Sequence, residues 1–362
     1  MFLFVYSFDF SAEDLFFTTI EEPNNATINP LNNGMFIDRR DLIKTKYLLL
    51  VVSYNQPKFD AFASWSANAI TFASGSTTVG SPYGIFINSN NTIYVASPSR
   101  NKILIWLANS TTPIQTISAN VSNPYSIFVT ITGDIYIDYS SSTYHVDKRT
   151  MTTNTSIVVM NVNQKCYALF VTTNNVLYCS MGASHEVITK SLNDNSSIFT
   201  IVAGLGCAGS TSNMLWNPRG IFVDTNFDLY VADYTNNRIQ LFRTGQLTGI
   251  TAAGSGSINT TITLYNPTGI ILDGDSNLFI ADYGNQRIVR SGPTGFRCLV
   301  GCTGTYGSAS NQLHYPWSLS FDSYGNIFVT DVSNNRVQKF ILLNHSLGKE
   351  DKSYFELKSI LF

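Results

Sequence analysis

Residues 229–242 read LYVADYTNNRIQLF, and this stretch places Asp233 five residues before Arg238, on either side of a short polar tract. The same arrangement returns in LFIADYGNQRIVR at 278–290 and in NIFVTDVSNNRVQKF at 326–340. β-Branched and aromatic residues flank each polar tract, a pattern typical of two short strands joined by a tight turn. The unit is therefore a β-hairpin that the chain uses more than once.

A longer phrase, in which an earlier strand precedes the hairpin, occurs six times at intervals of 42 to 52 residues. The copies are SPYGIFINSNNTIYVAS (81–97), NPYSIFVTITGDIYIDY (123–139), KCYALFVTTNNVLYCSM (165–181), NPRGIFVDTNFDLYVAD (217–233), NPTGIILDGDSNLFIAD (266–282) and YPWSLSFDSYGNIFVTD (315–331). A third apolar run, such as RIQLF, follows the polar tract, and a fourth, such as GITAAG, closes the unit. Four antiparallel strands per period, with no helical pattern between them, predict one β-propeller blade per copy.

The two ends of the repeated region complete each other. The sixth copy has three strands, ending at RVQKFILL, and no clear fourth strand follows. Ahead of the first copy, WSANAITFASG (65–75) has the pattern of a fourth strand with no partner before it. We therefore predict that residues 69–74 complete the blade that begins at Tyr315, which closes the ring and removes its exposed edges.

The pattern divides the chain into three segments. We predict an irregular N-terminal extension at 1–60, a propeller at 61–345 and a charged C-terminal tail at 346–362. The extension contains a candidate targeting segment, MFIDRRDLIKTKYLLLVV from Met35, in which a basic stretch precedes an apolar one. No apolar run reaches the ~20 residues that a membrane helix needs.

Composition limits the partners and the compartment. The 22 Lys and Arg balance 24 Asp and Glu, so no global field attracts nucleic acid or an anionic membrane. Eight N-x-S/T sequons occur, close to the roughly seven that chance gives at this composition. They leave the compartment open, and we favour an extracellular location over a cytoplasmic one from the segment at Met35 alone.

The cysteines are five, an odd number at irregular spacing. They form no CxxC motif and no zinc-ligand spacing with histidine. We therefore expect buried thiols rather than a disulfide frame. The residues concerned are Cys166, Cys179, Cys207, Cys298 and Cys302.

The order N-P-x-G-I-x-V-D, L-Y-V-A-D and N-x-R-I resembles the NHL repeats of six-bladed β-propellers, over about residues 65–343. The resemblance implies an all-β, six-bladed fold, and it is closest in copies four to six. The histidine typical of the family is replaced there by Asn237, Gln286 and Asn335. Copies one to three also lack the Asp and Arg, and carry Ser97 with Lys102, Tyr139 with Tyr144, and Met181 with Glu186.

The repeated Asp–Arg pair is interpreted as a structural turn clamp, because a catalytic dyad is normally unique in a fold. Such a clamp stabilises by at most about 1 kcal/mol if it is exposed. Asn residues in the turn accept unusual backbone angles and bring the two side chains together. The predicted clamps are Asp233 with Arg238, Asp282 with Arg287, and Asp331 with Arg336.

Three other motifs lack the context that their chemistry needs. Gly204, Gly206 and Gly209 match G-x-G-x-x-G, but no helical pattern follows them. DGDSN at 273–277 begins like a calcium loop, yet it lacks the later Gly and Glu. The histidines (His145, His185, His314 and His345) fall at unrelated repeat positions. We predict no catalytic residue, no metal and no cofactor.

The residues that enter the innermost strands should encircle one mouth of the channel. They are Tyr83, Tyr125, Tyr167, Arg219, Thr268 and Trp317, with Trp216, Tyr265 and Tyr315 close by. Tyr, Trp and Arg often anchor protein interfaces, because they bury large areas and keep a polar end. Packing between blades would require the same residue types, so both interpretations stay open.

We predict a monomeric, non-enzymatic binding or scaffold propeller that recognises a protein or peptide on this face, partly by analogy with the fold. One alternative is a metal-dependent propeller lyase or hydrolase. A second is an RNA-binding NHL propeller, which would need a basic mouth. Lys165 and Arg219 are the two basic residues that the sequence offers there, so nucleic acid is disfavoured.

Overall fold

The protein folds as a six-bladed β-propeller, as predicted. A computed structural model describes residues 52–118, 121–140, 143–150, 155–194, 196–257, 262–293 and 295–343. In these ranges the strands form six antiparallel sheets of four strands each. The chain before residue 52 and the predicted tail at 346–362 lie outside the described residues. No helix in the described part of the chain is long and apolar enough to cross a membrane.

Each blade contains four strands that follow one another from the channel outward. The first strand in the chain is β1 (Ile70–Ser74), and blade 1 follows with β2 (Ile85–Ile87), β3 (Ile93–Ser97), β4 (Lys102–Trp106) and β5 (Gln115–Ile117). Blade 2 has β6 (Ile127–Val129), β7 (Ile135–Ser140), β8 (Tyr144–Thr150) and β9 (Thr155–Val162), and blade 3 has β10 (Cys166–Val171), β11 (Val176–Met181), β12 (Glu186–Ser191) and β13 (Thr200–Gly204). Blade 4 has β14 (Pro218–Val223), β15 (Leu229–Asp233), β16 (Arg238–Phe242) and β17 (Ile250–Gly254), blade 5 has β18 (Pro267–Leu272), β19 (Leu278–Asp282), β20 (Arg287–Arg290) and β21 (Arg297–Val300), and blade 6 has β22 (Pro316–Phe321), β23 (Ile327–Asp331) and β24 (Arg336–Phe340). Short 3-10 turns join the second and third strands at Pro98–Arg100, Tyr234–Asn236, Tyr283–Asn285 and Val332–Asn334.

The innermost strands contact one another in the order β2, β6, β10, β14, β18 and β22, and β22 contacts β2. Neighbouring blades cover both faces of each sheet, so the second strands are buried along their whole length in β3 and β19. This explains why these strands read as continuous apolar runs instead of alternating ones. The core therefore lies between the blades.

The N-terminal strand closes the ring as predicted. β1 pairs antiparallel with β24, with Ile70 opposite Lys339 and Ser74 opposite Arg336. It completes the sheet β1-β24-β23-β22. The indole of Trp65 extends this contact, because its Nε1 donates a hydrogen bond to the carbonyl of Gly325 at 2.8 Å.

Residues 52–60, which we call the channel strap, cross the end of the channel where the innermost strands finish. The Tyr54 ring packs edge-on against phenylalanines of blades 2, 3 and 4, with centroids 5.5 to 6.4 Å apart. The Asn55 amide donates to carbonyls of blades 1 and 6, and the Gln56 amide donates to one of blade 5. The strap thus contacts all six blades. The sequence pattern assigns these residues to the N-terminal extension and does not predict this contact.

The expectation of buried thiols is wrong, because four of the five cysteines form disulfides and the fifth is exposed. Disulfides join Cys166 to Cys179 and Cys298 to Cys302, while Cys207 is free and exposed. Cys166 and Cys179 lie on the adjacent strands β10 and β11, with their Cα atoms 5.2 Å apart, a separation that a disulfide accepts. This proximity depends on strand register, which irregular spacing in the sequence does not reveal.

Ring closure depends on a contact that a single substitution can test. The Phe72 ring on β1 packs edge-on against Trp106 of blade 1 at 5.4 Å and against Phe328 of blade 6 at 5.3 Å. We expect Phe72→Ala to lower the free energy of unfolding by about 3 kcal/mol, because it leaves a cavity at the junction. Urea denaturation measures this change.

Phe62→Ala is the matched control, because Phe62 lies ahead of β1 in the chain and is 77% exposed. We expect it to change stability by no more than about 0.5 kcal/mol. Equal denaturation midpoints for the two variants would contradict the role given to Phe72.

Candidate functional site

The residues that enter the innermost strands meet at one end of the channel, which we call the entry end. Tyr83 packs edge-on against Tyr125 at 4.7 Å and against Trp317 at 4.8 Å. Tyr167 contacts Tyr125 at 5.7 Å and Trp317 at 6.2 Å, so the four rings form a continuous circle. Arg219 completes this group, with Cζ 3.5 Å from the centroid of the Tyr167 ring. We call these five residues, all partly buried, the mouth cluster.

Two cations lie among these aromatic rings. The Arg219 guanidinium stacks on Tyr167, and the Lys165 Nζ lies 3.9 Å from the centroid of Tyr125 and 5.0 Å from that of Tyr167. Cation–π attraction favours both positions. Burial, followed by the charge of Tyr125, raises the pKa of the Tyr83 hydroxyl, so this side chain is a neutral donor at physiological pH.

A row of stacked aromatic side chains leads outward from the mouth cluster. Tyr283 lies 5.8 Å from Trp317 and stacks on Tyr315 at 4.5 Å. His314 follows at 4.8 Å from Tyr315, and Tyr306 stacks on His314 at 4.7 Å. We call Tyr283, Tyr315, His314 and Tyr306 the aromatic ridge. Tyr306 is 67% exposed and Tyr315 is 37% exposed.

The other predicted members of the face lie in different surroundings. Trp216 and Tyr265 are exposed, at 46% and 54%. Thr268 is 1% exposed, and its hydroxyl lies 3.4 Å from the Ala281 carbonyl and 3.2 Å from that of Pro316. Thr268 therefore bridges two blades instead of facing solvent.

Sequence analysis missed Tyr234 and Tyr283. Arg219 Cζ lies 5.0 Å from the centroid of Tyr234, and the rings of Tyr234 and Tyr283 are 6.0 Å apart. Each follows the aspartate of its repeat directly, at the turn into the third strand. An aromatic residue at that repeat position was the available signal.

The channel itself is a small cavity. Its volume is about 100 Å³, and its wall runs from Tyr125, Tyr167 and Trp317 at the entry end to Tyr54 of the channel strap. Pockets that enclose a drug-sized ligand measure roughly 300–1,000 Å³. A larger ligand must therefore bind across the entry end, with no more than a small group inside.

The predicted turn clamps form direct ion pairs. The Arg Nε to Asp Oδ2 distances are 2.7, 2.8 and 2.7 Å in blades 4, 5 and 6. The aspartates are fully buried, so these are not the exposed pairs for which about 1 kcal/mol applies. Burial raises the pKa of all three carboxyls, and their hydrogen bonds oppose this shift.

Each clamp also holds the loop that enters its own blade. The second carboxylate oxygen of Asp233 accepts a hydrogen bond from the backbone N–H of Trp216 at 2.7 Å. Asp282 and Asp331 accept the corresponding N–H groups of Tyr265 and His314 at 2.8 and 2.6 Å. The clamps therefore position exposed aromatic residues of the candidate face.

A second repeated contact joins blades 3, 4 and 5 to the blades that follow them at the entry end. In blade 4 the side chain of Asn237, a residue with φ of 55°, accepts the backbone N–H of Asn266 at 2.8 Å. In blade 5, Gln286 accepts the N–H of Tyr315 at 2.6 Å, and in blade 3 the His185 Nδ1 accepts that of Asn217 at 3.1 Å. His185 thus occupies the position of the family histidine, which sequence analysis did not recognise.

The remaining motifs are turns. Asp273 Oδ1 accepts hydrogen bonds from the N–H groups of Asp275 and Asn277 and pairs through Oδ2 with buried Arg290. Gly204 ends β13 with φ of 83°, and a Cβ there would lie 2.2 Å from the His185 carbonyl oxygen. Among the residues that the structure describes, which exclude His345, no group of three or more His, Cys, Asp or Glu could hold a metal ion.

Comparisons with known proteins support the same architecture. The family model described as NHL repeat matches residues 313–340, within the sixth copy. No curated protein sequence is significantly similar to the chain. The match and the six blades confirm the predicted resemblance to NHL propellers.

Solved structures similar to this chain include proteins with different roles. A protein of unknown function from Bacteroides thetaiotaomicron VPI-5482 has a TM-score of 0.62 at 13% identity, covering 81% of this chain and 76% of its own. An auxiliary nutrient binding protein from Bacteroides ovatus ATCC 8483 has a TM-score of 0.59 at 13% identity, with coverages of 81% and 76%. A streptogramin B lyase has 0.52 at 14%, with 80% and 93%. At these identities the similarity shows the fold alone.

The buried clamp in blade 4 has a natural control in blade 1. We expect Arg238→Met to lower the free energy of unfolding by about 3–5 kcal/mol, because it leaves the buried Asp233 carboxylate without its counter-charge. Lys102 holds the same place opposite Ser97, and Lys102→Met should cost no more than about 0.5 kcal/mol. Urea denaturation of both variants measures the difference, and similar losses would contradict the clamp.

Asp138 on β7 is expected to make stability depend on pH. The side chain is fully buried, and burial raises the pKa of its carboxyl to about 7. Its Oδ1 accepts the N–H groups of Tyr125 and Ser126, and its Oδ2 accepts the Ser140 hydroxyl. Because the folded protein holds this proton more tightly than the unfolded chain, the stabilisation is complete below about pH 4 and is lost as the pH rises through 7.

We expect Asp138→Asn to keep these hydrogen bonds and to remove the titration. The amide oxygen can accept both backbone N–H groups, and the amide nitrogen can donate to Ser140. The variant should match the wild type near pH 4 and exceed its stability by up to about 4 kcal/mol at pH 8. Urea denaturation at pH 4, 6 and 8 tests this, and a pH-independent difference would refute the assignment.

Proposed function

We propose that the protein is a non-enzymatic binding propeller that recognises a protein or peptide at the entry end of its channel. The observation that carries this proposal is the continuity between the mouth cluster and the exposed aromatic ridge. Together they present Tyr, Trp and Arg side chains in one contiguous area, and these residue types dominate binding hot spots.

The exposure of aromatic residues at the entry end favours binding over packing between blades. Aromatic residues that pack between the innermost strands, such as Phe128 and Phe222, are 4% exposed. Tyr306, Tyr265 and Trp216 retain 46% to 67% exposure, which packing does not explain. Amphipathic rings that stay partly in water gain stability when a partner covers them.

The size of the channel favours a partner that lies on the surface. A cavity of about 100 Å³ encloses too little of a small substrate to orient it for a reaction. A polypeptide can cover the mouth cluster and the ridge together. The two disulfides support an extracellular location, because such bonds persist in oxidising compartments.

Variants of the aromatic ridge test the proposal. We expect the double variant Tyr306→Ala/Tyr315→Ala to lose specific protein partners by about tenfold or more in quantitative affinity capture, since truncated anchors cost at least 1–2 kcal/mol each. Tyr324→Ala is the control, because Tyr324 is 61% exposed and lies in the turn between β22 and β23, away from the entry end.

Two results would overturn this proposal. Equal recovery of partners by the double variant and by Tyr324→Ala would refute the proposed face. Stoichiometric metal in the purified protein, together with turnover, would favour the alternative of a metal-dependent lyase or hydrolase.

A further inference from the structure

Arg219 differs from the arginines that stabilise the blades. The clamp arginines, Arg243 and Arg290 each contact an aspartate. Within the described part of the chain, Arg219 forms no such pair, and its Nε and Nη1 atoms are buried without a hydrogen-bond acceptor. Buried donors without acceptors are uncommon in proteins, so this side chain requires an explanation.

An acceptor supplied by a ligand would satisfy the Arg219 guanidinium, which has no acidic partner in the described part of the chain. The guanidinium stacks on the Tyr167 ring at 3.5 Å, and stacking covers a face of the group while its N–H bonds point outward in the plane. Lys165 Nζ lies 5.0 Å from the centroid of the same ring. Two positive charges beside one ring repel each other, and an anion bound at the mouth cluster offsets this cost.

We propose that the mouth cluster binds a carboxylate of a peptide, with Arg219 and Lys165 as its counter-charges. This inference rests on the proposed function and specifies its ligand. The carboxylate comes from an Asp or Glu side chain or from the peptide C-terminus. The residues that flank it pack on the aromatic ridge.

The observations favour a carboxylate over the phosphates of RNA. Binding of a nucleic acid strand needs a series of cations along its backbone, whereas two lie at this mouth. The cavity of about 100 Å³ that Tyr125, Tyr167 and Trp317 line at this end is too small to enclose a nucleoside. A planar carboxylate also matches the in-plane donors of a guanidinium.

A peptide library tests the inference on the full chain. N-acetylated random hexapeptides are prepared in two forms, with a free C-terminal carboxylate and with a C-terminal amide. The wild type should enrich Asp or Glu at one position of the amide library, or prefer the free acids, by about tenfold. Either result supports the proposal, and the comparison identifies the source of the carboxylate.

Three variants test which residues produce the preference for a carboxylate. Arg219→Gln should reduce it to less than about twofold, and Lys165→Gln should weaken it several-fold. Arg243→Gln makes the same change of charge near the opposite end of blade 4, beside Asp228, and should leave the preference unchanged. Melting temperatures check the fold, and Lys165→Gln carries the test if Arg219→Gln does not fold.

The opposing outcomes separate this inference from the proposed function. Peptides captured without regard to charge would refute the carboxylate site and leave peptide recognition standing. An acidic preference that Arg219→Gln retains would place the carboxylate elsewhere and refute the site. Capture of poly(U) RNA but no peptide, lost in Arg219→Gln, would refute both the ligand and the proposed function.

Discussion

Six sheets stay in one ring only if each blade is fixed to its neighbour, and one repeated hydrogen bond does this at the entry end for blades 3, 4 and 5. A side-chain acceptor before the third strand binds the backbone N–H of the residue that opens the next blade, as in Asn237 with Asn266. Both residues have positive φ, 55° and 51°, so the contact requires the left-handed backbone conformation at both positions. This sets the direction in which β14, β18 and β22 begin. Arg219 and Trp317 of the mouth cluster are positioned by it, because they stand two residues after Asn217 and Tyr315.

The same constraint explains which departures from the NHL pattern the fold accepts. The hydrogen bond between neighbouring blades needs a side-chain acceptor of suitable length on a residue in the left-handed backbone conformation. Asn, Gln and His all supply such an acceptor. Gln286 and His185 therefore perform the task that Asn237 performs. Blade 1 lacks the Asp–Arg clamp, yet its Ser97 hydroxyl donates to the Val79 carbonyl at 2.6 Å and holds the entering loop. Loss of a named residue is thus compatible with retention of the contact.

The sequence was sufficient to predict the fold where the strand pattern is local and repeated. Six copies of a strand pattern predicted six blades, and the unmatched strand at 69–74 predicted the closure, because pairing follows from which strands lack partners. The channel strap could not be predicted, since Tyr54 and Asn55 make their contacts with residues far away in the chain. The disulfide between Cys166 and Cys179 depends on register across a bulge. Thr268 occupies the repeat position of Tyr125 and Trp317, and its smaller side chain is buried against carbonyls of two blades.

The circular arrangement makes the entry end easy to diversify. Blade geometry fixes the backbone position of each mouth residue. The choice of side chain at that position is less constrained by the fold than the choice of Asp and Arg in the clamps. Lys165 and Arg219 open blades 3 and 4, and the aromatic ridge belongs to blades 5 and 6. The two cations and the aromatic ridge therefore occupy different sectors of one circle. A ligand with an acidic group at one point and apolar groups beside it would bind in a single orientation, because rotation about the channel axis would separate both parts from their partners.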